Sequence, residues 1–224
     1  MSVGAGYWRS EGGSQIDAPM LAAAYGVANR VQLSATVPFY RVSYQGATAS
    51  GLDDVYLSAK IAAFDPSGDR RFGLAISPTL EILSAGFMED RLHWALPVSV
   101  DLGSGSTRVY GSAGYFSRGA VFAGGAIEWT APAGTVLTGA ITQSSSLGDA
   151  STFDASGRGK RVDVSAGIAH PVRNAVAAYA SVGRTLTPAS EGGTSLALSG
   201  GISLYFARAS SKPRARVSVG PGQT

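Results

Sequence analysis

The chain has 224 residues, only 15% of them are charged, and its formal net charge is +3. An average soluble domain is about 25% charged, so this chain is too weakly charged and too apolar to be disordered, and its small basic excess does not indicate a nucleic-acid partner. Because cysteine is absent, disulfide bonds, thiolate metal sites and a cysteine nucleophile are excluded.

Apolar and small polar residues alternate with a period of two along most of the chain, which predicts strands. In segment 54–64, for example, Val55, Leu57 and Ile61 share one face. Soluble strands average about 5–6 residues, whereas about 9–11 residues carry a tilted strand across a bilayer. The alternation predicts about twelve strands of roughly ten residues each, in chain order at 2–11, 17–27, 31–44, 54–64, 72–83, 92–101, 107–117, 120–131, 135–146, 161–170, 175–187 and 195–206.

The connections between these strands alternate in length. Tight turns are predicted at 28–30, 65–69, 102–105, 132–134 and 171–174. On the alternate side, longer loops are predicted at 45–53, 84–91 and 147–160, intermediate ones at 12–16 and 188–193, and one tight exception at 118–119. Short turns at one end and longer loops at the other are typical of outer-membrane barrels, and an even strand number puts both termini at the short-turn end.

The composition of the two faces indicates which one meets lipid. The less apolar face is mostly Gly, Ala, Ser and Thr with scattered charges, as in the interior of a barrel. Aromatic residues near strand ends predict interfacial girdles, at Phe39, Tyr40, Tyr44, Phe64, Phe72, Trp94, Tyr115, Phe116 and Trp129. We therefore expect an all-β fold, a transmembrane antiparallel up-and-down β-barrel of about 12 strands over residues 1–206. A soluble β-sandwich or barrel with its apolar face inward is the alternative.

The two ends of the chain bear on its location. The first residues lack the basic and apolar regions of a signal peptide, so an export leader is absent from this chain although the outer membrane of a Gram-negative bacterium is the expected location. The last strand ends in Phe206, which resembles the targeting signal of bacterial outer-membrane barrels and predicts contact with the barrel assembly machinery. Residues 207–224, rich in Pro, Lys and Arg, are predicted to form a disordered basic periplasmic tail.

Charged and phenolic residues on the inward face are the candidate transport residues of the lumen: Tyr56, Lys60, Glu81, His93, Asp101, Tyr110, Glu128 and Asp163. Lys60, Glu81 and Glu128 are expected near mid-strand, where a basic residue facing lipid would cost about 2–4 kcal/mol. Inside, such groups either pair and plug the barrel or line a narrow passage. The two tyrosines would contact an aromatic solute or fill space, and His93 is expected to hydrogen-bond a carboxylate.

Catalytic and metal-binding motifs are scarce. The 2 histidines, His93 and His170, form no ligand pair, so neither a metal nor a cofactor is expected. The Asp53-Asp54 pair is interpreted as a strand cap in preference to a cation site. No Gly-x-Ser-x-Gly motif occurs, and His170 lies on an apolar face without evident Ser and Asn partners, so an enzyme, in particular a barrel-borne lipid hydrolase, is the least favoured interpretation.

Residues 25–64 carry a family resemblance. Tyr25 to Leu33 reads YGVANRVQL and runs on to Val37-Pro38, and Gly51-Leu52-Asp53-Asp54 precedes VYLSAK. These motifs resemble the MetA-pathway of phenol degradation outer-membrane proteins, although Asp53 replaces the usual glycine. The resemblance implies an outer-membrane barrel that passes small hydrophobic or aromatic compounds.

Two functions therefore remain from the sequence. The first is a channel that gives small molecules passage across the outer membrane. The second is a non-conducting structural or interaction barrel that acts through its extracellular loops, with 147–160 as the contact surface.

Overall fold

The computed structural model describes residues 1–64, 71–84, 91–147, 160–187 and 193–206. They form the strands β1 (Ser2–Ser10), β2 (Gly13–Ala28), β3 (Val31–Tyr44), β4 (Ala47–Leu52), β5 (Val55–Phe64), β6 (Phe72–Ile76), β7 (Thr79–Ile82), β8 (Leu92–Ser104), β9 (Thr107–Phe116), β10 (Ala120–Thr130), β11 (Val136–Ser146), β12 (Lys160–Arg173), β13 (Val176–Thr185) and β14 (Leu196–Leu204). Within these ranges there is no helix with the length and apolarity needed to cross a membrane.

Two pairs of these strands are halves of longer strands. β4 and β5 both pair with β3, and they are separated at Asp53-Asp54. β6 and β7 both lie between β5 and β8, and they are separated at Ser77-Pro78. Proline has no N–H to donate, but the amide of Ser77 donates to Pro97 at 2.9 Å and the carbonyl of Pro78 accepts from Ala59 at 3.0 Å. The wall is therefore continuous, and the described strands make twelve crossings, as the alternation predicts.

The sheet closes on itself. Consecutive strands pair antiparallel around the wall, and β1 pairs with β14 from Ser2↔Ser203 to Arg9↔Leu196. Because closure pairs the first strand with the last, the interior is enclosed by backbone hydrogen bonds. This confirms the all-β, antiparallel, up-and-down barrel of about twelve strands.

Connections at the end opposite the termini, here called the loop end, differ from the prediction at two places. A tight turn at Glu11-Gly12 replaces the loop expected at 12–16, and a turn at Gln45-Gly46 followed by β4 replaces the loop expected at 45–53. Gln45 and Gly46 both have positive φ, 47° and 84°, which suits a two-residue hairpin turn. Most of the longer connections, the turn at 65–69 and the tail at 207–224 lie outside the described residues.

The apolar faces of the strands point outward. Leu96 and Leu204 remain 44% and 40% exposed on the outer surface. The buried apolar positions are small, and almost all are alanine: Ala75, Leu83, Ala95, Ala120, Ala126, Ala169 and Ala177. An apolar exterior around an interior of small residues contradicts the alternative of a soluble barrel or sandwich with its apolar face inward.

Aromatic side chains group near both ends of the outer surface. Phe64 and Phe72 pack at the end that carries the termini, here called the turn end, with ring centroids 6.2 Å apart. Trp94 and Tyr115 pack at the loop end, 5.7 Å apart. Three of the expected girdle residues instead face inward, because the register puts them on the other face of their strands. They are Tyr40, which covers Gly51, Tyr44, which covers Gly13, and Phe116, which packs on Phe122 at 4.9 Å.

Candidate functional site

Inward charged and phenolic residues of β5 to β10, together with Arg118 in the turn between β9 and β10, form two networks at opposite ends of the barrel. The turn-end network consists of Asp101, Arg108, Tyr110 and Glu128, and the loop-end network consists of Tyr56, Glu81, His93 and Arg118. β8 contributes to both, because its alternation puts His93 and Asp101 on the same inward face near opposite ends of the strand. The strand period therefore determines which charges can meet inside the barrel.

The turn-end network is held by one arginine. Arg108 donates through Nε to Asp101 Oδ1 at 2.8 Å and pairs through Nη2 with Asp101 Oδ2, which gives a bidentate contact. Its Nη1 lies 3.5 Å from Glu128 Oε2, and the Tyr110 hydroxyl donates to Glu128 Oε1 at 3.5 Å. Glu128 is only 5% exposed. A buried carboxylate needs such partners, because removing one leaves a charge without compensation.

The loop-end network is less completely bonded. Tyr56 donates its hydroxyl to Glu81 Oε1 at 3.1 Å, and Arg118 Nη2 lies 3.4 Å from Glu81 Oε2. His93 stands directly opposite Glu81 in the β7–β8 ladder. However, His93 Nε2 and Arg118 Nε are buried without a hydrogen-bond partner among the described residues. The expected hydrogen bond from His93 to a carboxylate is therefore not made by Nε2 of His93.

Asp163 belongs to a separate group on β12. Arg161 Nε donates to both of its carboxylate oxygens at 2.9 and 3.0 Å, and Thr185 donates to Oδ1 at 2.6 Å. Arg161 Nη2 also donates to Thr194 Oγ1 at 3.3 Å. These bonds tie β12 to β13 and to the residues that lead into β14. The arrangement stabilises the wall at the loop end.

A carboxylate and amide group surrounds the break between β4 and β5. Asp53 Oδ1 accepts from the amide of Asp54 at 2.9 Å, and Asp54 Oδ1 accepts from the amide of Ser84 at 3.1 Å. Gln15 Nε2 donates to Asp17 at 2.6 Å and to Asp53 at 3.3 Å. These bonds cap the strand ends, as interpreted from the sequence. No group of three or more potential metal ligands occurs in the described parts of the chain.

The interior between the two networks is lined mostly by small neutral residues, and Lys60 is the charged exception among the described residues. Going along β8 from His93 to Asp101, the inward residues are Ala95, Pro97 and Ser99. Hydroxyl pairs recur around the wall at this level, such as Ser58 with Thr79 at 2.8 Å and Ser181 with Ser199 at 2.6 Å. Such side chains offer hydrogen bonds to a passing solute without a net charge.

The structure places all eight candidate residues on the inward side of the wall. Lys60 is exposed there and makes no hydrogen bond or ion pair with a described residue. Glu81 and Glu128 lie closer to strand ends than to the middle, so their expected mid-strand position is wrong, whereas Lys60 lies at the middle of β5 as expected. The position of each residue along the barrel axis depends on strand pairing, because pairing and not sequence spacing alone determines where each strand begins.

Sequence reasoning missed the three arginines that bind these acids, Arg108, Arg118 and Arg161. For Arg108 a signal was present, since it alternates with Tyr110 on β9 and follows a tight turn that folds β9 back against Asp101. His170 faces outward, as expected, and its Nδ1 lies 2.8 Å from Thr135 Oγ1.

Comparison with known proteins identifies the fold and not the family. No protein-family model matches the chain, and no curated protein matches its sequence, so the MetA-pathway resemblance remains a prediction. Among solved structures, the NanC porin aligns at 10% identity with a TM-score of 0.66, over 92% of this chain and 99% of the porin. The KdgM porin aligns at 12% identity with a TM-score of 0.61, over 92% and 100% of the two chains. An outer-membrane channel from Pseudomonas putida F1 aligns at 14% identity with a TM-score of 0.66, over 91% of this chain and 95% of the channel.

Proposed function

We propose that the protein is a channel in the outer membrane of a Gram-negative bacterium that gives small molecules passage through its interior. One observation carries the proposal. A closed wall is apolar on its outer surface, while its inner surface is small, hydroxyl-bearing and charged near the ends. In a bilayer, closure satisfies every backbone group of the wall and the outward leucines meet acyl chains.

The location follows from the same surface. Aromatic pairs near both ends of the barrel match two interfacial girdles. Lipid is then the partner of the outer wall, and Phe206 at the end of the last strand is the contact offered to the barrel assembly machinery. Since the fold is that of known outer-membrane porins, the loop end would face the outside of the cell.

The solute class is proposed from the interior. The mostly neutral, hydroxyl-lined level between the networks, where Lys60 is the charged exception among the described residues, favours small uncharged or weakly polar molecules. Tyr56 and Tyr110 offer phenolic rings at the two ends. The motif resemblance in residues 25–64 points to hydrophobic or aromatic compounds. Uptake of such compounds into liposomes that contain the barrel measures this preference directly.

Neighbouring residues on β9 allow a sharp test of passage. Ser112 faces the interior and Ala113 faces outward, and the chain has no cysteine of its own. We expect that a charged, water-soluble thiosulfonate reagent lowers the conductance of Ser112→Cys channels in planar bilayers by about half or more. The Ala113→Cys variant is the matched control and should keep its conductance.

The same experiment decides the second candidate function. Glu128 is buried and bonded within the turn-end network, which favours a barrel closed by its own side chains. A wild-type barrel that inserts into bilayers but carries no current would establish that non-conducting form. Equal responses of the two cysteine variants would contradict passage through the interior.

A further inference from the structure

Four basic residues stand on the outer surface at the loop end of the barrel. Arg9, Arg41, Lys160 and Arg184, here called the basic belt, lie on β1, β3, β12 and β13 and are all exposed. Each shares the outward face of its strand with apolar residues below it. On β13, for example, Val182 precedes Arg184, and on β3 Phe39 precedes Arg41. The belt therefore begins where the apolar surface of these strands ends.

The strand register brings the belt together on one side of the barrel. Arg9 pairs with Leu196, and the pairing of Gly183 with Ala197 puts Arg184 next to Leu196 on its other side. With neighbouring strands about 4.8 Å apart, the backbones of Arg9 and Arg184 are roughly 10 Å apart. Arg41 continues the belt across β2, where it pairs with Ile16. Lys160 continues it on β12, above the Val164 partner of Arg184.

None of the four side chains has a bonding partner among the described residues. They make no ion pair or hydrogen bond with any residue in the described ranges, and the nearest described outward carboxylate in sequence, Glu11, sits exposed in the β1–β2 turn without bonding them. The other described carboxylates are bonded inside the barrel or at the strand breaks. The belt is thus a positive surface without a counter-charge among the described residues.

The outward positions of the other described strands lack this charge at the loop end. Going round the loop end through β8 to β11, the outward residues in the described strands are aromatic, apolar or neutral, such as Trp94, Tyr115, Val121 and Gln143. At the turn end the outward positions of the described strands are apolar or neutral polar, such as Ser104 and Thr107, with His170 and Arg173 on β12 as the exceptions. Among the outward positions of the described strands at the loop end, the positive charge is therefore concentrated in the sector of β1, β3, β12 and β13.

We propose that the basic belt binds the phosphate groups of lipids in the leaflet that surrounds the loop end. The inference rests on the proposed membrane location. Arginine binds phosphate with charge-assisted, often bidentate hydrogen bonds, and long basic side chains reach from an apolar surface to the headgroup level. The apolar surface below the belt takes the acyl chains of the same lipids, so headgroup and tail contacts lie on one continuous sector.

The test compares lipid retention by the full chain and two double variants. Each protein is purified in detergent doped with lipid A or with the same lipid after its phosphates are removed, and retained lipid is measured by native mass spectrometry. We expect wild-type protein to retain the phosphorylated lipid preferentially and Arg9→Gln/Arg184→Gln to lose about tenfold or more of it. Arg30→Gln/Arg173→Gln, at the turn end, removes the same charge and should retain the lipid.

Three results would overturn the proposal. They are equal retention of the two lipids, equal loss in both double variants, and displacement of the lipid by millimolar inorganic phosphate, which would show a site for the free ion. Conductance measured on the same samples separates this proposal from the channel. A barrel that carries no current but retains phosphorylated lipid refutes the channel function and leaves lipid binding by the belt intact. A conducting barrel without lipid preference refutes lipid binding by the belt and leaves the channel function intact.

Discussion

At the scale of single residues, glycine determines where the barrel can close. Gly4 and Gly201 face each other across the β1–β14 pair, and the Tyr179 hydroxyl lies over both. A Cβ atom at Gly201 would stand 2.7 Å from Gly4 Cα and 2.7 Å from that hydroxyl. Since real Cβ atoms do not approach backbone so closely, this position needs glycine for space and not for its dihedral freedom.

Gly201→Ala should therefore destabilise the barrel. Overpacking of this kind costs about 1–3 kcal/mol, and we expect the temperature at which the folded band disappears in detergent gels to fall. Gly26→Ala is the control, because no heavy atom lies within 4 Å of its added Cβ. An unchanged transition temperature for Gly201→Ala would contradict the close approach.

The interior networks show how far single residues could be predicted from the sequence. Alternation correctly puts Asp101 and Glu128 on inward faces, because a period of two needs no knowledge of the partner strand. The bond from Arg108 to Asp101 depends on where the turn between β8 and β9 falls, and that turn lies at Gly105-Ser106, later than expected. The alternation pattern does not say which residues of neighbouring strands face each other. The acidic lumen residues were therefore predicted, but the arginines that bind them were not.

At the scale of strands, the prediction succeeds where one face is apolar and fails where neither is. β8 alternates strictly from Leu92 to Leu102 and was expected almost as it is observed. β4, with the sequence ATASGL, is exposed on both faces and was expected to be a loop. A strand without a buried face carries no binary pattern, and its pairing with β3 is fixed by the hairpin turn.

The end of the last strand also carries a prediction. Phe206 is 76% exposed on the outer side of the turn end, and it is the contact that we propose for the assembly machinery. We expect Phe206→Ala to lower the fraction of folded barrel in the outer membranes of producing cells several-fold, while folding from denaturant into detergent stays near wild type. Folded and unfolded forms are separated by their gel mobility without boiling.

Phe39→Ala provides the comparison for this prediction. Phe39 is also outward and exposed, at 39%, but it lies on β3 at the loop end. Equal losses of membrane assembly in the two variants would mean that any outward aromatic matters, and that Phe206 is no specific signal.

At the scale of the whole molecule, the charge is sorted by surface. Among the described residues, carboxylates outnumber basic groups in the interior and at the strand breaks, and basic residues outnumber acidic ones at the outer rim of the loop end. The described acidic side chains of the interior are Asp17, Asp53, Asp54, Glu81, Asp101, Glu128 and Asp163, and they outnumber the basic ones, Lys60, Arg108, Arg118 and Arg161. A passage with a negative excess concentrates cations.

We therefore expect the channel to favour cations over anions. Reversal potentials under a potassium chloride gradient should give a cation-to-anion permeability ratio above about 2. Glu81→Gln should lower the ratio, because it removes one carboxylate and leaves Arg118 without its partner. Arg9→Gln, on the outer surface, should leave the permeability ratio unchanged. An anion-selective wild type would contradict the proposal that interior carboxylates set the selectivity.

Closure by β1 and β14 has a consequence for the order of assembly. The amino group of Met1 reaches the carbonyl of Leu204, 203 positions away in sequence. Every other neighbouring pair of strands is joined by a connection and can pair locally during folding. β1 can pair with β14 only after the last strand has been made. Until β1 and β14 pair, the sheet is open and has two unpaired edge strands. Whatever protects those edges in the cell therefore determines whether the chain closes into a monomeric barrel or aggregates with other copies.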